Sequence, residues 1–402
     1  MGVFAADLDP VIANRDPDSS PPVVVPQIIS ALWALPIVPL SLLLLAVART
    51  WDGRLFTVAA LFTGLLPLLG SIAWVTKRRL WRRLAAGAGL GWLVAISVVL
   101  WRAPDGTGSA QSRIVHAYAN GQTKFQRYAL GNLLPEVDQL RLGFTLMPAF
   151  DSRLTSAQAS DLKRMTATIY AELERDPEFH RLGSVMPEVY DEILGLPFDR
   201  GHCYVYVPSR VDRTRPSPVL VFFHGYGGCF KAYLWILSKV ADRLGCIVVA
   251  PSHGLGEWRA EVSEGSLRSA LESASRIAAI DRDRIHLAGL SNGGLAISQL
   301  AAAEGTRFRS LIYLSPVFDA EQVSRTTFVE NCRGRPVLVL TGKEDDRVPL
   351  SYVMENVAAL TRTGVDVRLK TVAGADHFLV FSHRDLVIDT LASWLRENGA
   401  AL

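Results

Sequence analysis

Gly289-Leu290-Ser291-Asn292-Gly293 decides how the carboxyl-terminal half of this chain is read. These residues follow the apolar run Ile285-His286-Leu287-Ala288. They lead into Gly294-Leu295-Ala296-Ile297-Ser298, which continues at helical spacing. Strand, sharp turn and helix are the context that a G-x-S-x-G elbow needs. Such a turn lifts the Ser291 hydroxyl clear of the backbone at the carboxyl end of a strand. The glycines flank it because side chains there would collide with the strand and helix. The helix start behind the serine offers free N–H groups and the positive end of a dipole to a developing anion.

A serine hydroxyl is a weak nucleophile at neutral pH and needs a base, an orienting acid and an oxyanion hole. Working outward, Val219-Leu220-Val221-Phe222-Phe223 reads as a strand ending in His224-Gly225-Tyr226-Gly227-Gly228, which resembles the H-G-x-G oxyanion loop of esterases and lipases. The Tyr226 N–H is the first choice of donor, with Gly227 behind it, and the Asn292 N–H is the second donor. Downstream, Val337-Leu338-Val339-Leu340-Thr341 reads as a buried strand running into Gly342-Lys343-Glu344-Asp345-Asp346-Arg347-Val348-Pro349. That segment resembles the G-x-x-D-x-x-V-P stretch that carries the triad acid in many α/β-hydrolases, with Asp345 at the matching position. Val372-Ala373-Gly374-Ala375-Asp376-His377-Phe378 resembles the short loop that presents the triad histidine, with His377 matching.

The order Ser291, Asp345, His377 is the α/β-hydrolase order. One G-x-S-x-G occurs by chance; four motifs in order, each ending a strand-like run, are specific. Over roughly residues 200–398 the chain resembles the α/β-hydrolase superfamily. Gly294 gives the G-x-S-x-G-G form of dienelactone-hydrolase-like, prolyl-oligopeptidase-like and polyester-depolymerase-like members. The resemblance implies a mainly parallel sheet with helices on both faces and a covalent acyl-enzyme, with no cofactor. It implies hydrolysis of carboxylic esters. A serine peptidase or an acyltransferase on the same triad is the alternative, although the large amino-terminal propeller of the peptidases has no counterpart here. A non-catalytic binding module on the same scaffold is the alternative of another class.

Other residues compete for these roles. Asp346 and Asp319 are rival acids, and His383 is a rival base. Asp376 adjoins His377 in sequence, and neighbours seldom present their side chains to each other. His224 reads as a brace for the oxyanion loop, and His286 as a core histidine. His253 and Trp258, after the strand-like Cys246–Ala250, are candidates for lining the pocket or for packing alone. No H-E-x-x-H or C-x-x-C pattern is present, so no metal is expected.

The first hundred residues are a different material. The 402-residue chain is 49% hydrophobic, with a mean hydropathy of +0.21. The excess sits in Ile28–Ala48, Leu55–Val75 and Leu84–Trp101, none of which contains a charge. Each is about the 20 residues that a membrane-crossing helix needs. Pro36, Pro39 and Pro67 would kink a soluble helix but are tolerated in a membrane. Asp7, Asp9, Asp16 and Asp18 precede the first segment, the wrong charge for a cleaved signal peptide. A retained multi-pass anchor is expected.

Lys77-Arg78-Arg79-Leu80-Trp81-Arg82-Arg83 holds five positive charges in seven residues and is assigned to the cytoplasm. Everything after Trp101 is then extracytoplasmic, at a cell membrane. Net charge is +3, and this loop supplies five of the positives, so no basic face suggests nucleic acid. Expected partners are a membrane and an acyl ester, with lipids and polymers among the candidates. Cysteines 203, 229, 246 and 332 would permit one or two disulfides in an oxidising compartment.

The expected organisation is a tail over 1–27, three transmembrane helices over 28–101 and a linker over 102–111. A helical subdomain, cap or docking surface follows over 112–197, then the α/β-hydrolase domain over 198–402. Within 112–197, Leu162, Met165, Ile169 and Leu173 space an amphipathic helix across Ser156–Arg175. Beyond it strands alternate with helices, the pattern of a mainly parallel sheet.

Overall fold

The apolar segments form three long helices, α1 (Val24–Val47), α2 (Trp51–Thr76) and α3 (Arg79–Arg102), in a computed structural model of the chain. The structure describes residues 24–106, 109, 111–118, 126–196, 202–303 and 307–401. The tail over 1–23 and the boundary expected at 197–198 lie outside them. Each of the three helices is long and apolar enough to cross a membrane. Ile29, Leu32, Leu35, Leu90 and Val94 are all more than half exposed. A soluble bundle would bury such a stripe, whereas a hydrocarbon solvent accepts it. Inward, the Trp33 indole donates to the Thr63 carbonyl and the Trp92 indole to the Thr63 hydroxyl. At Gly64 a side chain would meet Ile37 and Val38 at 3.0 Å, so a small residue sets the approach of α1 to α2.

The second unit is built on one sheet. Its strands are β1 (Ile114–Tyr118), β2 (His202–Tyr206), β3 (Ser217–Phe223), β4 (Ile247–Pro251), β5 (Ile280–Leu290), β6 (Ser310–Leu314), β7 (Val337–Gly342) and β8 (Val367–Val372). Their order is β1-β2-β4-β3-β5-β6-β7-β8. β1 and β2 run antiparallel to their neighbours and the rest are parallel. This is the α/β-hydrolase architecture.

Alternation along β3 divides the core in two. Leu220 and Phe222 pack with helices Lys231–Leu244 and Arg384–Glu397 on one face. Val219, Val221 and Phe223 pack with helices Ala260–Ile277 and Gly293–Ala302 on the other. β3 and β5 are buried on both faces where they pair, which is why they read as continuous apolar runs. β8 is the outer strand and carries Arg368 and Lys370, charges that discourage pairing with another edge.

Residues 112–197 depart from the expected helical subdomain. Ile114–Tyr118 is a strand, paired antiparallel with β2, so the sheet begins well before residue 198. Helix Ser156–Leu173, opened by a Thr155–Gln158 capping box, buries Leu162, Ile169 and Leu173 in the same core as helix Lys231–Leu244. Glu172 receives two hydrogen bonds from the Arg384 guanidinium, at 2.6 and 2.9 Å. The segment therefore shares one core with the catalytic sheet rather than sitting beside it as a separate cap.

The sequence left the state of the cysteines open. All four are free and buried. Burial pushes the Cys203, Cys246 and Cys332 thiols up to about 12, because a thiolate would lose its hydration. They pack as small apolar side chains.

Candidate active site

Ser291 stands at the turn between β5 and helix Gly293–Ala302 with φ of +50°, a conformation a serine adopts only where the surroundings impose it. The surroundings are tight. A Cβ at Gly289 would lie 2.3 Å from the Gly293 carbonyl oxygen, and one at Gly293 would lie 2.1 Å from that of Phe223. The Ser291 N–H is tied to the Leu314 carbonyl at 2.9 Å, and its carbonyl accepts from Val317 at 3.0 Å. The elbow is thus pinned to the ends of β3 and β6.

The acid and base meet through a similar close approach. A Cβ on Gly342, at the end of β7, would lie 2.1 Å from the Ala375 carbonyl oxygen. The Glu344 N–H donates to that carbonyl at 3.0 Å. The loops after β7 and β8 are therefore laced together. His377 Nδ1 donates to Asp345 Oδ2 at 2.9 Å, and the Ser291 hydroxyl lies 3.1 Å from His377 Nε2. Asp345 Oδ1 accepts from the N–H groups of Arg347 (3.0 Å) and Val348 (2.8 Å). The carboxylate is fully buried, fixed by three donors, and sets the imidazole tautomer so that Nε2 faces the serine.

The rivals are otherwise engaged. Asp346 is exposed. Asp319 caps helix Ala320–Val323 by accepting from the Gln322 N–H. Asp376 accepts from the Phe378 N–H within its own loop, and His383 pairs with the Ser382 hydroxyl.

Gly225 packs directly on the nucleophile: a Cβ there would lie 3.1 Å from Ser291 Cβ. The Gly227 N–H donates to the Leu255 carbonyl at 2.8 Å and so is not available to an oxyanion. The N–H groups of Tyr226 and Asn292 have no partner among the described residues. His224 is the expected brace. Its Nε2 accepts from the His253 N–H at 3.1 Å, and its Nδ1 donates to the Gly225 carbonyl at 2.7 Å. Full burial lowers its pKa to about 3, which keeps the ring neutral as that acceptor role demands.

His253 and Trp258 are buried, at 4% and 3% exposure, and support the loop from beneath rather than lining a pocket. The Trp258 indole donates to the His224 carbonyl at 2.9 Å. His286 is a core residue whose Nδ1 lies 2.8 Å from the Ser310 hydroxyl. A cavity of about 640 Å³ bordered by Gly131, Glu136, Glu174 and Lys231 includes no member of the triad. Ser291 and His377 are half-buried, the Phe378 ring stands 5.7 Å from that of His377, and Tyr226 is exposed.

Two residues that no sequence signal pointed to are Leu255, whose carbonyl bonds the oxyanion loop, and Glu192, whose carboxylate bonds Leu255. The glycines of Gly254-Leu255-Gly256 could have signalled a tight turn after β4, but nothing in the sequence links it to Glu192.

Comparison with known proteins finds hydrolases. Residues 320–400 match the prolyl oligopeptidase family. The chain is 22% identical over 241 residues to dipeptidyl-peptidase 5 of Porphyromonas gingivalis, covering 48% of this chain and 35% of that protein. The chain thus spans about a third of that relative's length. Similar solved structures include the butyrate-bound esterase Est2 of Thermogutta terrifontis, at 17% identity and a TM-score of 0.40, covering 50% of this chain and 90% of that one. FphF, a fluorophosphonate-binding serine hydrolase of Staphylococcus aureus, aligns at 17% identity and a TM-score of 0.41 over 48% and 92%. Est1E of Butyrivibrio proteoclasticus aligns at 19% identity and a TM-score of 0.39 over 49% and 93%.

Proposed function

We propose that this chain, a serine hydrolase of the α/β-hydrolase superfamily, cleaves carboxylic esters through an acyl-enzyme on Ser291. The observation that carries the reading is the unbroken hydrogen-bond chain Ser291–His377–Asp345 beside two unengaged N–H groups. His377 takes the Ser291 proton as the hydroxyl attacks the acyl carbonyl. Asp345 stabilises the resulting imidazolium. The Tyr226 and Asn292 N–H groups hold the tetrahedral oxyanion, each donor contributing about 3 kcal/mol. His377 then protonates the leaving alkoxide, and water repeats the sequence to release the acid.

The flank of the site bears on the acyl group. Arg347 is paired with Asp151 at 2.6 Å, and its guanidinium lies 5.4 Å from the centre of the Phe378 ring. An internally compensated ion pair beside aromatic surface suits an apolar acyl group. The match of residues 320–400 to the prolyl oligopeptidase family favours a second reading, peptide hydrolysis. Comparing kcat/KM for p-nitrophenyl esters of rising chain length with that for dipeptidyl anilides separates them. The ester reading expects esters to be preferred by far, and anilides turned over faster than any ester would reject it.

The three apolar helices tether the enzyme to a cell membrane, with the active site outside the cytoplasm, where the substrate is a lipid or other envelope-bound ester. The basic loop Lys77–Arg83 supports that orientation. Protease treatment of intact cells should cleave the hydrolase domain; its protection until the membrane is breached would reverse the topology.

A further inference from the structure

The helix Met186–Ile193 lies in the segment to which no motif assigns a role, and its last turn reaches the turn after β4 that backs the oxyanion loop. Glu192 Oε2 accepts the Leu255 N–H at 2.5 Å. The Leu255 carbonyl in turn accepts the Gly227 N–H at 2.8 Å. The residue before Gly227 is Tyr226, whose N–H faces no other partner among the described residues. The connection from carboxylate to oxyanion donor therefore runs through two hydrogen bonds and one peptide step.

Both ends of the connection are built to hold position. The turn over residues 253–256 grips the oxyanion loop twice, through the His253 N–H to His224 Nε2 and through the Leu255 carbonyl to Gly227. A Cβ at Gly256 would lie 2.5 Å from the Gly225 carbonyl oxygen, so turn and loop are in backbone contact. The helix is anchored elsewhere. Glu188 pairs with His202 of β2 at 2.8 Å, and the Tyr190 hydroxyl donates to Gln139 Oε1 at 2.5 Å. Val185 and Val189 stand 3.3 and 3.0 Å from where a Cβ on Gly228 would sit. The same helix thus touches the far end of the loop.

We propose that Glu192 is a positioning residue for the oxyanion hole: it fixes the 253–256 turn, which fixes Gly227 and so aims the Tyr226 N–H at the tetrahedral intermediate. The proposal rests on the reading of Tyr226 as an oxyanion donor in Ser291-dependent hydrolysis. Two glycines in succession, Gly227 and Gly228, have φ of +107° and +112°. Glycine has the widest conformational freedom of any residue, so this loop needs external fixing. A donor held off its line loses strength in the transition state while leaving ground-state binding of the ester largely intact.

The test uses the full-length protein in detergent, as wild type, Glu192→Ala and Glu192→Gln. Outright loss of an oxyanion donor costs roughly a hundredfold to a thousandfold in kcat. Misalignment should cost less: about tenfold in kcat for Glu192→Ala, with KM within about twofold. Inhibition by a trifluoromethyl ketone, whose serine adduct places an oxyanion in the hole, should weaken by the same factor as kcat. Glu192→Gln keeps an acceptor oxygen and should recover most of both losses. A purely structural role would lower thermal stability without this parallel between kcat and inhibitor affinity. Should wild type hydrolyse esters and both variants match it in kcat and ketone affinity, the inference is overturned and the hydrolase reading stands. A rise in KM with kcat unchanged overturns it too. If folded wild type hydrolyses no ester and takes up no ketone, the underlying reading falls and the inference with it.

Discussion

The loops that close β3, β5, β7 and β8 carry every catalytic motif read from this chain, whereas the segment from Leu130 to Ile193 carries none of them. Both serve the same site. The loops bring Tyr226, Ser291, Asp345 and His377 together, and the segment meets the loop after β3 through Val185 and Val189 and the turn behind that loop through Glu192. The difference follows from what each must do. Chemistry needs particular atoms at particular places, so few residue types fit and a signature remains. Support needs shape, an acceptor at one point and apolar surface elsewhere, which many sequences provide. Structural importance is therefore spread more widely than legible sequence.

The sharpest way to break this comparison is at the triad. Ser291→Ala and His377→Ala should each lower kcat by roughly 10⁵-fold or more, and Asp345→Asn by roughly 10⁴-fold. Asp346→Asn and Asp319→Asn should stay within about threefold, because neither carboxylate touches His377. Steady-state ester kinetics check all five. Equal losses at Asp345 and Asp346 would break the assignment of the acid.

Next comes packing at the elbow. Gly293→Ala places a methyl group 2.1 Å from a backbone oxygen that cannot swing aside. It should destabilise the fold by about 3 kcal/mol or more and abolish turnover, read from denaturant unfolding alongside activity.

The motif-free segment supplies a comparable test. Glu136 is 3% exposed and accepts from the Tyr170 and Ser184 hydroxyls and, at 2.8 Å, from the Lys231 N–H. Glu136→Ala strands three buried donors and should cost about 3 kcal/mol, as much as a change at the elbow. A denaturation midpoint equal to wild type would show the segment to be dispensable.

The remaining effect is one of pH, and it is spread over two units of titration rather than tied to one substitution. Burial holds His224 and His286 at about 3 in the folded state, against about 6.5 in the unfolded chain. Their folded pKa values are depressed, so the stabilisation is complete above pH 6.5. It declines as pH falls toward 3, because the unfolded chain takes up protons first. Between pH 7 and pH 5 the two histidines should together remove up to about 4 kcal/mol of stability, and each replaced singly should flatten the profile by about half that. Urea titrations at the two pH values measure it.

Much of the fold was legible because buried parallel strands are apolar throughout, and Val219–Phe223, Arg284–Leu290 and Val337–Thr341 appear within a few residues of their expected limits. The three apolar helices were legible from length and the absence of charge. Ile114–Tyr118 was not: a short segment that gains a strand's identity from pairing with β2 leaves little local signal. The placement of His253 and Trp258 beneath the loop was equally hidden, since a residue after a strand can point into a pocket or under it with the same sequence. Gly227 lost its place as reserve donor through a hydrogen bond to Leu255, a residue far from it along the chain.

The central claim, that Ser291 is the nucleophile of a serine hydrolase, is tested most directly by treating the full-length protein with a fluorophosphonate and locating the adduct by mass spectrometry. One adduct is expected, on Ser291, formed at a rate that falls sharply in His377→Ala. A folded protein that takes up no label, or takes it up on another serine, would contradict it.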